Sequence, residues 1–149
     1  MPDFMYTLAQ LKIANGEIDL DTDDIRALIV MSLTSAQTQD GVEFLASFTT
    51  LDEYDGAGYA RQALTGKVAS ANTVTKRMHF TSDNLVFAAL AAGTREGFAI
   101  IFYKHVGADA VNIPILYKMP SGFPFLGNGE NVTVAPHANG WVYSRNGAP

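Results

Sequence analysis

Apolar residues along this chain come in short runs, and several of the runs alternate with polar positions. In Val74–Phe80 (VTKRMHF), Val74, Lys76, Met78 and Phe80 fall on one side, and Thr75, Arg77 and His79 on the other. A period of two is that of a half-buried strand, with Lys76 out of place on the apolar side. Phe98–Tyr103 (FAIIFY) is apolar on both sides, which predicts a central strand covered on two faces. Ile25–Leu33, Tyr59–Leu64, Leu85–Leu90, Val111–Lys118, Asn131–Ala135 and Gly140–Ser144 complete the set of predicted strands. Pro114 has no amide hydrogen to give a ladder, so Val111–Lys118 is expected at a sheet edge or with a bulge.

Asn-Gly pairs at 15–16, 128–129, 139–140 and 146–147 tolerate the positive φ of tight turns and mark four of them. Near the amino terminus, Phe4, Leu8, Leu11 and Ile13 approximate helical spacing and stop at Asn15-Gly16, which predicts one short helix. A second is expected over 41–47, where Val42, Leu45 and Ala46 share a side. Arg145–Pro149 reads as a frayed tail. Short strands, frequent turns and no long amphipathic helix predict a mainly β fold. The expected form is an antiparallel β-sandwich or jelly-roll-like barrel with a short N-terminal helix.

Composition narrows the classes. The 149 residues suit a single β domain, 1–149, able to bury roughly 70% of its unfolded surface. With 48% hydrophobic and 17% charged residues the chain is globular in type. Its net charge of −5, with Lys76-Arg77 as the one adjacent basic pair, speaks against a nucleic-acid partner. There is no cysteine, hence no thiol chemistry or thiolate metal site. The amino terminus has no basic stretch followed by an apolar one, so secretory export is not expected. Leu85–Gly93, the longest apolar-leaning run, falls far short of the ~20 residues of a membrane span, so no membrane partner is expected.

Candidate chemistry is sparse. Asp19, Asp21, Asp23 and Asp24 begin like a calcium loop, but its sixth position is Asp24 rather than glycine and its twelfth is Val30 rather than Glu. The cluster reads first as a solvated turn whose carboxylates bond nearby amides. His79, His105 and His137 lie on different predicted elements without zinc-ligand spacing. Ser121 lies in no Gly-x-Ser-x-Gly elbow, and Gly127-Asn128-Gly129 reads as a hairpin turn rather than a phosphate cradle. Asp52, Glu53 and Asp55 offer carboxylate pairs of the kind glycosidases use, with no marked cleft. No catalytic, cofactor or metal residue is assigned, and an enzyme is the least expected class. Trp141 is expected in the core of the last strand.

The order of motifs in Leu51–Leu90, LDEYDGAGYARQALTGKVASANTVTKRMHFTSDNLVFAAL, resembles a family of small tailed-bacteriophage virion structural proteins. An acidic-aromatic strand, a Gly-Tyr turn, Ala-Arg before a strand and a later Phe-x-x-Asp segment follow one another. The flanks resemble the family as well: a short helix before Asn15-Gly16-Glu17-Ile18-Asp19, then IRALIVMSL, FAIIFYKHVGADAVNIPILYK and a final Asn-Gly turn with an aromatic strand. The likeness covers about residues 5 to 144 and is structural, so it carries over no functional residue. The insertion MPSGFPFLGNGEN, 119–131, departs from the family pattern and is expected to protrude as an apolar loop.

The resemblance implies a capsid decoration (cement) protein, seated as a homotrimer on the major capsid protein. It would be assembled in the host cytoplasm and placed on the capsid exterior. Candidate contact residues are Phe4 and Tyr6 in an N-terminal arm (1–20), Phe123 and Phe125 in the 119–131 loop, and Tyr54 and Tyr59. A tail or neck component is one alternative. A host-glycan-binding attachment module using Tyr54, Tyr59 or Phe123 is another.

Overall fold

The computed structural model describes residues 3–74 and 77–143. Thr75, Lys76, Ser144, the Asn146-Gly147 turn and the expected tail Arg145–Pro149 lie outside the described residues. The chain is mainly β and antiparallel, consistent with a β-sandwich, with one short helix near the amino terminus.

The centre is a five-stranded sheet built where the sequence is most apolar. Its strands are β1 (Phe4–Met5), β2 (Ile25–Met31), β3 (Gln62–Ala63), β7 (Gly97–Lys104) and β8 (Ile113–Lys118), in the order β1-β8-β7-β2-β3. As FAIIFY predicted, β7 lies in the middle, and residues 99–103 are all buried. Its register with β2 pairs Ala27 with Phe102 and Ile29 with Ile100. Full burial of the Ile29, Ile100 and Phe102 side chains stabilises by about 1.5–3 kcal/mol each.

β8 is an inner strand, and it takes the bulge that Pro114 allowed. Phe102 faces Leu116 and Tyr103 faces Pro114, so Ile115 is the extra residue. β1 reaches only Leu116 and Tyr117 on the far side of β8, so the proline lies beyond its end.

Smaller sheets complete the fold. The first holds β4 (Val68–Asn72), β5 (Arg77–Thr81) and β10 (Val142–Tyr143), in the order β10-β5-β4; the second pairs β6 (Leu85–Leu90) with β9 (Glu130–Val134). Trp141, just before β10, is buried against Phe102 of the central sheet with ring centroids 4.9 Å apart, and its indole N–H donates to Ser82 Oγ at 2.8 Å. The β4 segment VASAN has weak strand propensity and is absent from the predicted set; it is a strand because all five residues pair with β5.

The amino-terminal segment is built into the body, which corrects the expected arm. Phe4 and Met5 pair with β8, the Tyr6 amide donates to Ile115, and α1 begins only at Thr7 and runs to Ala14. Gly16, at φ 75°, ends the helix. Its amide donates to Ile13 and that of Glu17 to Lys12, the two bonds of a Schellman cap. The helix expected over 41–47 is a single 3-10 turn, Leu45–Ser47, because Phe44 before it and Phe48 after it are extended.

Candidate functional site

Charged groups drawn inward by the fold meet around Arg61, the residue before β3. Its Nε and Nη2 donate to Glu53 at 2.7 and 2.6 Å, and its Nη1 and Nη2 donate to Asp109 at 2.6 and 2.9 Å. The guanidinium carbon also lies 5.4 Å from the centroid of the Tyr103 ring. Glu53 is placed by an isolated bridge to Val30 of β2. Asp109 is placed by Asn112, whose side-chain amide donates to it at 3.1 Å. Asn112 is itself buried, and its Oδ1 accepts the amides of Val106 and Gly107. The Asp109 carbonyl accepts the Ala46 amide, which ties the 3-10 turn to the same loop.

The electrostatics are those of a clamp. Hydrogen bonds from Arg61 hold the Asp109 carboxyl below the usual carboxylate range. Asp109 and then Glu53 raise the guanidinium above its ordinary value. Burial, with Glu53 beside it, raises the Tyr59 hydroxyl strongly. Two carboxylates share one cation, so the cluster joins three loops. Arg61 and Asp109 are 48 positions apart in sequence, and no local pattern announces them.

The carboxylate pairs noted in the sequence diverge. Asp52 pairs with Arg95 and accepts the Leu33 amide, Glu53 belongs to the clamp, and Asp55 accepts the amide and hydroxyl of Thr94. The Asp19–Asp24 cluster is likewise committed locally. Asp19 accepts the Asp21 and Thr22 amides, which lowers its pKa, and Asp21 accepts the Ala69 amide. Asp23 pairs with Lys104 at 2.8 Å and Asp24 with Arg26 at 2.7 Å. Among the described residues no three histidine or acidic side chains are grouped to hold a metal ion. The three histidines stay apart: His79 on β5, His105 after β7 and His137 in the turn before β10.

The six candidate contact residues divide: Tyr6 and Tyr54 are buried, which corrects those two, and the other four are half-buried. Tyr6 is fully buried and its hydroxyl donates to the Ala36 carbonyl at 3.0 Å, so it is a core residue. Tyr54 is 2% exposed, donates to the Ala91 carbonyl at 2.7 Å and packs edge-on against Tyr59. Tyr59 is half-buried, its ring against Phe87 and its hydroxyl donating to Glu53. Phe4 is half-buried and stacks on Tyr117 at 5.3 Å.

Phe123 and Phe125 are half-buried against each other, and Phe125 packs on Tyr54. The 119–131 segment is therefore pinned rather than protruding. Phe125 and Gly97 exchange both backbone bonds at 2.9 Å, and Gly127 sits directly on the Ala91 carbonyl. Turned inward, Tyr54 and Tyr59 offer no flat platform to a sugar.

What the body presents instead is an uncharged face. On the β6–β9 pair, Val86 stands opposite Thr133 and both are exposed, while Leu85 and Val134 point to the core. Ala88, Ala89 and Asn131 extend this face, and Leu126, 66% exposed, precedes Gly127 beside Ala91. Residues 84–94 carry no charge and 119–143 carry only Glu130. In the sequence this face shows only as a charge-free stretch, since no single residue in it is distinctive. Compared with known proteins, the chain matches no family model, no curated protein and no solved structure.

Proposed function

We propose that this chain is a non-enzymatic structural protein of a tailed-phage virion, a decoration protein that seats on the major capsid protein as a homo-oligomer. The sequence resemblance over Leu51–Leu90 supplies the class. The observation that carries the reading is the uncharged face of Val86, Ala88, Ala89, Thr133 and Leu126 on a chain of net charge −5. Centres of protein interfaces are depleted of charge, because each buried unpaired charge must be desolvated. An acidic chain that keeps one face neutral has a place where copies of itself, or an acidic shell, can approach without repulsion.

The inward clamp at Arg61 supports the same reading. It fixes loops that would otherwise move, and a protein that works by docking benefits from surfaces already in their bound shape.

The test is occupancy on purified capsids lacking the protein. Val86→Glu combined with Leu126→Glu alters two exposed side chains and leaves the core intact, so the variant folds. Its binding to capsids is expected to fall at least about tenfold, as each buried unpaired charge is costly at an interface. Wild-type occupancy by the folded double variant contradicts the proposal.

A further inference from the structure

β4 is the outermost strand of its sheet and is built as an open edge. Among the described residues no strand lies beyond it in the order β10-β5-β4. Ala69 turns its amide outward, where the Asp21 carboxylate accepts it. Backbone groups alternate sides along an antiparallel strand, so those of Ala71 point outward too, and Ala71 is exposed. Edge strands are commonly protected by charge, proline or a bulge. β4 uses none of these. Residues 68–74 are uncharged and lack proline, and the register with β5 runs unbroken from Val68 to Asn72.

Two valines flank this edge. Val68, at the start of β4, is 51% exposed, and Val74, in the turn beyond its end, is 90% exposed. They stand three positions to either side of Ala71. An edge strand pairs with its own copy in antiparallel sense about a two-fold axis, so each contact occurs twice. With the axis at Ala71, the two Ala71 residues exchange both backbone bonds, and Val68 of each copy meets Val74 of the other. With the axis at Ala69, the central bonds would need the amide that Asp21 already holds, so that register is closed. Charge favours the same contact, because copies of a chain of net charge −5 repel least where neither surface is charged.

We infer that β4 is a self-association edge, through which a second copy of this chain pairs antiparallel about Ala71 and joins the two small sheets into one. The edge is separate from the β6–β9 face, so pairing and capsid seating stand or fall independently. Two short strands bury less than the roughly 1,200 Å2 of a standard interface, so the free chain should pair with a Kd of roughly 10–1000 µM. Copies held side by side on a lattice reach effective concentrations of about millimolar, at which such a contact is occupied.

The experiment is sedimentation equilibrium of the full chain up to about 1 mM, where a monomer–dimer equilibrium is expected. Val68→Lys with Val74→Lys sets like charges opposite one another and should raise the Kd at least about tenfold. Both positions are exposed, so the variant folds. Val68→Glu with Val74→Glu should act in the same way, and mixing the lysine and glutamate variants should restore a one-to-one dimer. Val86→Glu with Leu126→Glu, on the other face, should leave the equilibrium unchanged.

A single cysteine reads the register, since the chain has none of its own. Ala71→Cys should form a disulfide-linked dimer, because residues paired across the axis have Cα atoms about 5.5 Å apart. Ser70→Cys should not, because its two copies lie diagonally at about 7–8 Å, beyond the reach of the bond. A monomer throughout the range, or a dimer that the lysine pair leaves intact, overturns the inference. So does a dimer dissociated by Val86→Glu with Leu126→Glu, or cross-linking of Ser70→Cys in preference to Ala71→Cys.

Discussion

The hydroxyl of Tyr59 accepts a hydrogen bond from the backbone amide of Ile29 at 3.0 Å and so takes the place of a missing strand partner. β3 is only two residues long and pairs with Arg26 and Ala27, and the 52–54 segment that follows it along β2 bridges only at Val30, so neither gives the Ile29 N–H an acceptor. Tyr54 donates its amide to the Ile29 carbonyl, and Tyr59 satisfies the Ile29 N–H. The same hydroxyl donates to Glu53 at 2.8 Å, which links this repair of the sheet edge to the Arg61 clamp.

Tyr59→Phe should therefore cost about 1–3 kcal/mol, the desolvation penalty of a buried amide left without its acceptor. The ring contacts with Tyr54 and Phe87 survive in the variant, so the loss isolates the hydroxyl. Urea denaturation reads it directly, and a midpoint equal to wild type refutes the substitution of side chain for strand.

Arg61→Lys keeps the charge and removes the fork. A lysine cannot give two bonds each to Glu53 and Asp109, so the expected loss is about 1–3 kcal/mol. That is below the cost of breaking a fully buried pair, because water reaches part of the cluster. Equal stability of the lysine variant would show that net charge alone holds the loops.

Acid should act through the carboxylates whose folded pKa values are depressed. Asp109 is lowered by Arg61, Asp24 by Arg26 and Asp19 by the Asp21 amide. Their unfolded values are about 3.9, so their stabilisation is complete above about pH 5 and is lost as pH falls through the lower folded values. Denaturation midpoints should be flat through the mildly acidic range and drop below about pH 4. Asp109→Asn should make that drop shallower; an unchanged slope contradicts the assignment.

Tyr117 and Tyr6 make a contrasting pair. Both are buried, but the Tyr117 hydroxyl has no hydrogen-bond partner among the described residues, while that of Tyr6 reaches Ala36. Tyr117→Phe should stabilise the protein by about 1 kcal/mol, and Tyr6→Phe should destabilise it by a similar amount. Burial pushes the Tyr117 hydroxyl up to about 12. Its contribution is thus present below the unfolded value of about 10 and lost as pH rises beyond it. The phenylalanine variant should soften the alkaline fall. Destabilisation of Tyr117→Phe at neutral pH would mean the hydroxyl is satisfied after all.

Gly127→Ala tests the pinned segment. A Cβ there would collide with the Ala91 carbonyl and come within 2.5 Å of the Tyr54 hydroxyl, so residues 119–131 must lift and take Phe125 from Tyr54. The expected cost is about 1–3 kcal/mol, with faster proteolysis confined to the segment. Gly129 has open space around it and φ 86°, so Gly129→Ala should pay only about 1–2 kcal/mol of backbone strain and keep the segment protected. Equal protease sensitivity of the two variants contradicts the packing.

Strands driven by apolar sequence were legible, and those driven by pairing were not. Leu85–Leu90 matches β6 end to end, and FAIIFY announced the sheet centre, because burial on both faces leaves a direct trace in sequence. β4 left none, since alanine, serine and asparagine become a strand only beside β5. Asn-Gly at 15–16, 128–129 and 139–140 marked residues of positive φ correctly. Two of the candidate contact residues, Tyr6 and Tyr54, are buried for a physical reason. Aromatic side chains such as Tyr6 and Tyr54 carry the largest apolar area, so they are drawn inward unless held out. The neutral face consists of Val86, Ala88, Ala89, Thr133 and Leu126, whose individual signals are weak, and only the pairing of β6 with β9 brings most of them together. The Arg61 clamp depended on a separation of 48 positions that no single-chain pattern encodes.

The proposed seating is tested most directly by incubating this protein with purified tailed-phage capsids and imaging where its density lies against the shell. Seating on the major capsid protein predicts density on the outer surface, repeated over the whole lattice in fixed proportion to that protein, with the β6–β9 face turned toward the shell. Density confined to the neck or tail, or lattice density that leaves Val86 and Leu126 facing solvent, would contradict the account.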